Sequence, residues 1–288
     1  MAHGSDVEGS DMAGSDVATT AWNTLLSADD PRPVIVHNPS GGAPFLLIGD
    51  HAGNAIPQSL GDLGVSAAER ARHIGWDIGI GVLGAQMSRH LDAVWIEQAY
   101  SRLVIDCNRA PDPCATPNAV VPVSDGTPVP ANHGLDDAAR AARVAEIHAP
   151  YQDAIAAEIV RRTAAGQPTI LVALHSFTPV MGGVPRPWHV GILHDGANDR
   201  FARRVLALLK SDPLLTVGDN EPYKMDRIDY SVPRHAFAAG LPYVEFEVRQ
   251  DLLADRPGID RWCGILSRVL TAAARPDRDV APVTVRSS

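Results

Sequence analysis

Two histidines each follow closely on an apolar run of the sequence. His51 comes after "PFLLIGD" and His175 after "TILVAL". Ligands of open α/β sheets bind beyond the carboxyl ends of the strands, so polar residues that follow apolar runs are the first candidates for a functional site. A histidine at a strand end is usually a hydrogen-bonded structural residue, but imidazole is also a common metal ligand. Two such histidines in one chain favour a metal site.

A catalytic zinc site needs a third protein ligand and an open position for water. Asp77, in "HIGWDIGIG", precedes an apolar helical pattern, where its carboxylate could cap the helix or bind an ion. Asn54 lies three residues after His51, although neutral amides are poor zinc ligands beside carboxylates. The residues alone leave the third ligand open between Asp77 and Asn54. Asp50 is predicted to orient His51 or a neighbouring loop rather than to bind the metal.

A strand-like segment, "YVEFEVRQ", carries charged side chains at every second position. The period of a strand places Glu245, Glu247 and Arg249 on one face. Charged groups are costly to bury in so apolar a segment unless they are paired or catalytic, so an internal ion pair competes with a functional role. In the catalytic interpretation, Glu247 is the general base that deprotonates a water activated by the metal.

The segment "SRLVIDCNR" supplies guanidinium groups that could hold an acidic substrate. If it is extended, Arg102, Asp106 and Asn108 share one face, and a turn before the next proline would bring Arg109 to the same side. A guanidinium binds a carboxylate through two parallel hydrogen bonds, although an internal salt bridge explains any one arginine equally well. Isolated residues that are weaker candidates for the same pocket are Asn220, Tyr223, Tyr230 and His235.

Short apolar runs alternate with longer helical patterns along most of the chain, which predicts an α/β fold with helices on both faces of a sheet. The predicted strands are 44–49, 93–98, 102–106, 169–174, 188–193, 214–217 and 242–248, and the predicted helices are 77–91, 136–165, 198–210 and 258–274. The proline-rich segment 110–134 is predicted to be a long loop that covers the pocket.

The composition is that of an ordinary globular protein. Hydrophobic residues make up 45% and charged residues 20% of the 288 residues, which suits a chain that can bury a sizeable core. Residues 21–275 are predicted to form a single catalytic domain. Residues 1–20 are predicted to be a disordered leader and residues 276–288 a flexible tail, because both are poor in periodic apolar bulk.

Charge and cysteine content limit the partners and the compartment. The formal net charge of −9 provides no basic surface for nucleic acid. No run approaches the ~18 apolar residues of a membrane span, and no secretory signal is visible. Three cysteines without a disulfide or zinc-finger pattern favour a reducing compartment, so a cytoplasmic location and a small-molecule substrate are predicted. The oligomeric state stays open.

The ordered set of motifs resembles the N-formylglutamate amidohydrolase family. The motifs, which lie between about Val34 and Leu270, are "DHAGNAIP", "WDIG", "SRLVIDCNR", "HAPY", "LHSFTP", "VGDNEPY" and "VEFEVRQDL". The family is similar in fold to zinc-dependent amidases and exopeptidases, so the resemblance implies a three-layer sandwich with a central mixed, mostly parallel sheet. The forms "DHAGN" and "EFE", where better-known members have "PHSGT" and "QLE", indicate a divergent branch.

The resemblance also implies a site and a reaction. The implied residues are His51, Asp77 and His175 for zinc or another divalent metal ion, Glu247 as base, and Arg102, Asn108 and Arg109 for substrate. The implied reaction hydrolyses N-formyl-L-glutamate to formate and L-glutamate, late in histidine degradation. One or more of Arg102, Arg109 and Arg249 is predicted to stabilise the oxyanion or bind the substrate carboxylate. The alternatives are a peptidase or cell-wall-type amidase with the same zinc chemistry, and a non-catalytic module that binds a dicarboxylate.

Overall fold

A computed structural model describes the chain between its two ends. The described residues are 1, 24–112, 114–115, 118–196 and 198–275. Apart from Met1, the predicted leader and tail therefore lie outside the described residues. Within these ranges, every helix is too short or too polar to cross a lipid bilayer.

A seven-stranded sheet forms the centre of the fold. The strands, in chain order, are β1 (Val34–His37), β2 (Phe45–Gly49), β3 (Val94–Gln98), β4 (Val123–Ser124), β5 (Thr127–Pro128), β6 (Ile170–Phe177), β7 (Val180–Met181), β8 (Val184–Pro185), β9 (Val190–Leu193), β10 (Val217–Asp219) and β11 (Tyr243–Arg249). The sheet order is β1-β3-β2-β6-β11-β9-β10. The pairs β1–β3 and β9–β11 are antiparallel and the other neighbours are parallel, so the sheet is mixed and mostly parallel. The β4–β5 and β7–β8 pairs are separate hairpins.

Helices pack on both faces of this sheet. They are α1 (Ala67–Arg70), α2 (Ile80–Leu91), α3 (Asp137–Arg143), α4 (Ala149–Ala164), α5 (Arg200–Lys210) and α6 (Arg256–Ala273). Alternate residues of β2 face the two layers: Leu46 and Ile48 pack in one core with Ile155 of α4, while Leu47 packs in the other with Leu83 of α2 and Leu266 of α6. Because successive side chains of a strand point to opposite faces, the alternation produces the predicted three-layer sandwich.

Most predicted elements are present with shifted ends, although β10 shares only Val217 with the predicted strand 214–217. The predicted strand 102–106 is absent, because the chain turns there: Val104 N donates to Ser101 O at 2.9 Å, and Asp106 N donates to Ala119 O at 2.8 Å. The predicted helix 136–165 is divided into α3 and α4 by a π-helical turn, Val144–His148. The sequence pattern missed the edge strand β1, which is short and partly exposed.

Candidate metal centre and active site

Two strand ends and a loop bring a carboxylate between two histidines. His51 follows β2, and His175 lies near the end of the neighbouring strand β6. Asp77 lies just before α2, and its backbone N–H donates to the His51 carbonyl at 2.9 Å. The three side chains are buried, and each offers a ligand atom within 4.8 Å of the other two. This cluster, His51–Asp77–His175, is called the metal cluster below.

The donor atoms of the metal cluster fit a divalent ion. Asp77 Oδ2 lies 2.9 Å from His175 Nδ1 and 3.5 Å from His51 Nδ1. In a tetrahedral zinc site with bonds of about 2.0–2.1 Å, two donor atoms lie about 3.3–3.4 Å apart. His51 Nδ1 is also buried with no hydrogen-bond partner in the described part of the chain. An imidazole nitrogen without a partner in this position fits a metal ligand.

Each histidine of the metal cluster also contacts a further carboxylate through its Nε2 nitrogen, and the two carboxylates differ. His51 Nε2 lies 2.7 Å from Asp106 Oδ1, and His175 Nε2 lies 3.3 Å from Asp50 Oδ2. Such partners fix the tautomer and the orientation of a metal-binding imidazole. Of the two roles predicted for Asp50, to orient His51 or a neighbouring loop, the first is wrong, because Asp106 contacts His51. Asp50 instead contacts His175 and accepts the hydroxyl of Ser231.

The structure places Asp77, and not Asn54, with the two histidines. Helix α2 has Gly79 as its N-cap, without a side-chain cap in the described structure, so Asp77 does not cap it. The Asn54 side chain instead donates to the carbonyl of Arg70 at 2.9 Å. Burial raises the pKa of Asp77, but the charges and hydrogen bonds of His51 and His175 outweigh it and lower that pKa below its usual value. An ionised Asp77 is the form that can bind a metal ion.

Two carboxylates of β11 face the same site. The parallel pairing of β11 and β6 places Glu247 beside His175 and Glu245 beside Ala173. Burial raises the pKa of Glu247 to about 7, although His175 lowers it. Burial and the neighbouring Asp229 raise the pKa of Glu245 well above its usual range. Because Glu247 can exchange a proton near neutral pH beside the metal cluster, its position suits a general base.

These groups line one cavity of about 390 Å³. The predicted site residues that line it are His51, Asp77, Arg102, Asn108, Arg109, His175 and Glu247. Val121, Val123 and Asp125 also line it, so part of the long segment 110–134 contributes a wall, as expected of a covering loop. The cavity is large enough for a small amino-acid derivative.

Arg102 is held inside the site by carboxylates. Its Nη2 donates to Asp106 Oδ2 at 2.6 Å, and its Nη1 lies 3.5 Å from Asp77 Oδ1. Burial raises the pKa of Asp106, but Arg102 and His51 hold that pKa well below its usual range. Arg102 thus forms the internal ion pair that competed with a substrate-binding role.

Asn108 and Arg109 organise the cavity wall around residues 228–231. The Asn108 side-chain oxygen accepts the backbone N–H groups of Tyr230 at 2.8 Å and Ser231 at 3.0 Å. Arg109 Nη1 donates to the Asn108 carbonyl at 2.7 Å and to the Ile228 carbonyl at 3.1 Å. Two carbonyls orient the Arg109 guanidinium through one nitrogen, and among the residues that the structure describes its other donors stay available to a ligand.

Tyr223 lines the cavity as predicted, but four other candidates do not belong to its described lining: Asn220, Tyr230, His235 and Arg249. Asn220 accepts the backbone N–H of His194 at 2.9 Å, and His235 contacts Gln152 Oε1 at 2.7 Å. Arg249, at the end of β11, pairs with Asp251 at 2.8 Å. The prediction is wrong for these residues. Partners from other segments hold Asn220 and His235, whereas Arg249 and Tyr230 contact the nearby Asp251 and Arg234.

The cavity also contains residues that no sequence pattern identified. His73, Lys224 and Asp229 line it from irregular segments, where neither a strand nor a helix period applies. Glu245 was visible in the alternation of "YVEFEVRQ" but received no role. Among these residues, only Glu245 could have been identified from the sequence, because it alternates with apolar residues in a strand-like segment.

Comparisons with known proteins identify the family of the chain. A family model described as N-formylglutamate amidohydrolase matches residues 43–254. The crystal structure of a gene product from Agrobacterium tumefaciens is 35% identical, with a TM-score of 0.82 over 86% of this chain and 97% of that chain. The crystal structure of N-formylglutamate amidohydrolase from Ralstonia eutropha is 20% identical, with a TM-score of 0.62 over 84% of this chain and 97% of that chain, a likeness of fold. No curated protein matches the sequence.

Proposed function

The chain belongs to the N-formylglutamate amidohydrolase family, and we propose that it hydrolyses the amide bond of an N-formyl or related N-acyl amino acid with the help of a divalent metal ion. The observation that carries this proposal is the metal cluster beside Glu247 in one cavity. N-formyl-L-glutamate is the proposed substrate, with formate and L-glutamate as products. The proposal includes a role in histidine degradation and a cytoplasmic location.

His51, Asp77 and His175 would hold the metal ion. Zinc at this position would polarise the scissile carbonyl and lower the pKa of a water molecule. Glu247 accepts the proton of the attacking water and returns it to the leaving amine nitrogen. The charge that develops on the carbonyl oxygen lies close to Arg102, whose guanidinium is already oriented by Asp106. Asp106 therefore orients both Arg102 and His51.

Arg109 is the proposed contact for a substrate carboxylate. It lines the cavity, and its nearest carboxylate, Asp229, is 3.9 Å away. Arg102, by contrast, is bound to Asp106 at 2.6 Å. A guanidinium held by carbonyls keeps its charge and a pair of donors for a carboxylate, so Arg109 suits a substrate with an α- or side-chain carboxylate.

A substrate screen tests the function directly. The zinc-loaded protein is expected to release formate and free amine in equal amounts from N-formyl-L-glutamate, to lose this activity on chelation and to regain it when zinc is restored. N-acetyl and N-carbamoyl amino acids, short peptides and cell-wall fragments are measured in parallel. Turnover of peptides or wall fragments alone would support the peptidase or cell-wall-type alternative. Thermal stabilisation by glutamate without metal binding or turnover would support the non-catalytic dicarboxylate-binding module.

Substitution of Arg109 by alanine is expected to raise KM for N-formyl-L-glutamate by about 10-fold or more, because a hydrogen bond to a charged group contributes about 1.5–3 kcal/mol. The change in kcat is expected to be smaller. Arg249→Ala is the matched control, since Arg249 pairs with Asp251 outside the described cavity lining. Steady-state kinetics of both variants decide: an unchanged KM in Arg109→Ala, or an equal rise in Arg249→Ala, contradicts the assignment.

A further inference from the structure

A line of buried polar contacts leads from the metal cluster to Gln152 of α4 and on to His235. His175 Nε2 lies 3.3 Å from Asp50 Oδ2, and Asp50 Oδ1 accepts the hydroxyl of Ser231 at 2.5 Å. The Ser231 hydroxyl in turn lies 3.1 Å from Gln152 Nε2, and Gln152 Oε1 lies 2.7 Å from His235 Nε2. All of these residues are at most 5% exposed. The set Asp50, Ser231, Gln152 and His235 is called the polar relay below.

The orientation of the Gln152 amide sets the direction of the relay. Its nitrogen lies 2.8 Å from the carbonyl of Cys107, and a carbonyl can only accept a hydrogen bond. The amide nitrogen therefore points toward Cys107 and Ser231, and the amide oxygen points toward His235. The second amide proton is donated to the Ser231 hydroxyl oxygen. His235 must then donate its Nε2 proton to the Gln152 oxygen.

The Ser231 hydroxyl accepts a hydrogen bond from Gln152 and donates one to Asp50. A hydroxyl has one proton, and its oxygen already accepts from Gln152, so the proton is donated to Asp50 Oδ1. The backbone N–H of Ser231 is held by the Asn108 side chain at 3.0 Å, which restricts movement of the residue. Asp50 is thus fixed as an acceptor with its second oxygen facing His175.

The fixed carboxylate favours a proton on Nε2 of His175 when a metal ion takes the lone pair of Nδ1. Asp50 Oδ2 and His175 Nε2 are both buried without a hydrogen-bond partner in the described structure, and they face each other in an ion-pair contact of 3.3 Å. The next carboxylate oxygen, from Glu245, lies 4.0 Å from His175 Nε2. A proton on Nε2 facing Asp50 leaves the lone pair on Nδ1, and Nδ1 is the nitrogen that faces Asp77 at 2.9 Å.

We propose that Ser231 is a positioning residue of the metal centre, which acts through Asp50 to hold His175 in the tautomer and orientation that bind a metal ion. The inference rests on the proposed function only in requiring that the metal cluster binds a divalent ion. Loss of a residue that orients a metal ligand typically lowers metal affinity by about 10–100-fold. His235, which the sequence predicted to contact the substrate, instead lies at the end of the polar relay.

Zinc affinity tests this proposal without any measurement of turnover. In competition with a chromophoric chelator, Ser231→Ala is expected to raise the zinc Kd by about 10-fold or more, and to change the visible absorption of the cobalt-substituted protein. Ser88→Ala is the matched control: Ser88 is equally buried and donates one hydrogen bond, at 2.7 Å to the Ala93 carbonyl. The control is expected to lower the melting temperature of the metal-free protein while leaving the zinc Kd unchanged.

A second variant keeps the test informative if Ser231→Ala fails to fold. Gln152→Leu removes the donor that orients the Ser231 hydroxyl and leaves Asp50 untouched, so the zinc Kd is expected to rise by about 2–10-fold. An unchanged zinc Kd in the folded variants overturns the proposal and leaves the proposed function standing. A wild-type protein that binds zinc but hydrolyses no N-acyl amino acid overturns the proposed function alone. A wild-type protein that binds no divalent metal overturns both.

Discussion

Glu247→Gln is expected to lower kcat by about 10²–10⁴-fold while the protein keeps its full zinc content. The amide has nearly the shape of the carboxylate but accepts no proton from water near neutral pH. Glu247 lies beside His175 in the sheet without belonging to the metal cluster, so we expect metal binding not to depend on it. Formate release under saturating substrate measures kcat, and elemental analysis of the same preparation measures zinc. Loss of zinc together with activity would make Glu247 a ligand instead of a base.

The stability of the metal-free protein provides a control for this variant. Burial raises the pKa of Glu247 from 4.5 to about 7, so the folded state holds a proton that the unfolded chain has already released. The stabilising contribution is complete below about pH 4.5 and is lost as pH rises to about 7, which lowers the free energy of unfolding by up to about 3 kcal/mol. The amide of Glu247→Gln does not titrate in this range, so the variant does not lose this part of its free energy of unfolding. Denaturant unfolding is expected to show the metal-free variant gaining stability over wild type between pH 5 and pH 8.

Asp77→Asn and His175→Ala are each expected to weaken zinc binding by more than about 100-fold. Substitution of a residue that merely orients a metal ligand already costs about 10–100-fold in affinity, and these residues supply the donor atoms themselves. The two side chains meet at 2.9 Å between Asp77 Oδ2 and His175 Nδ1. Chelator competition measures the zinc Kd, and activity is expected to fall in parallel.

Asn54→Ala is the control for this pair, because Asn54 follows the same strand end but directs its side chain to the Arg70 carbonyl. Its zinc Kd is expected to equal that of wild type. Unchanged zinc stoichiometry in Asp77→Asn, with only a lower melting temperature, would assign Asp77 a structural role. A weaker affinity for zinc in Asn54→Ala would instead make Asn54 a metal ligand.

The sequence by itself determined the layers of the fold and the edge of the sheet that carries the site. Burial of one face imposes a period of two on strands and of about 3.6 on helices, and these periods are local properties that a chain displays directly. His51 and His175 were identified for a related reason. Each follows an apolar run, and the carboxyl ends of parallel strands converge, as β2 and β6 do. The alternation in "YVEFEVRQ" likewise placed Glu247 on the face of the cavity.

Only the tertiary structure decided which polar side chains meet. Asp77 rather than Asn54 lies with the histidines. Arg102 forms an internal ion pair, and Arg249 lies outside the described lining of the cavity. The partners concerned lie far apart in the chain: Asp50 and Ser231 are 181 residues apart. A period reports the face of a regular element, but beyond the end of a strand the direction of a side chain depends on the loop backbone and on partners that only the folded chain brings near.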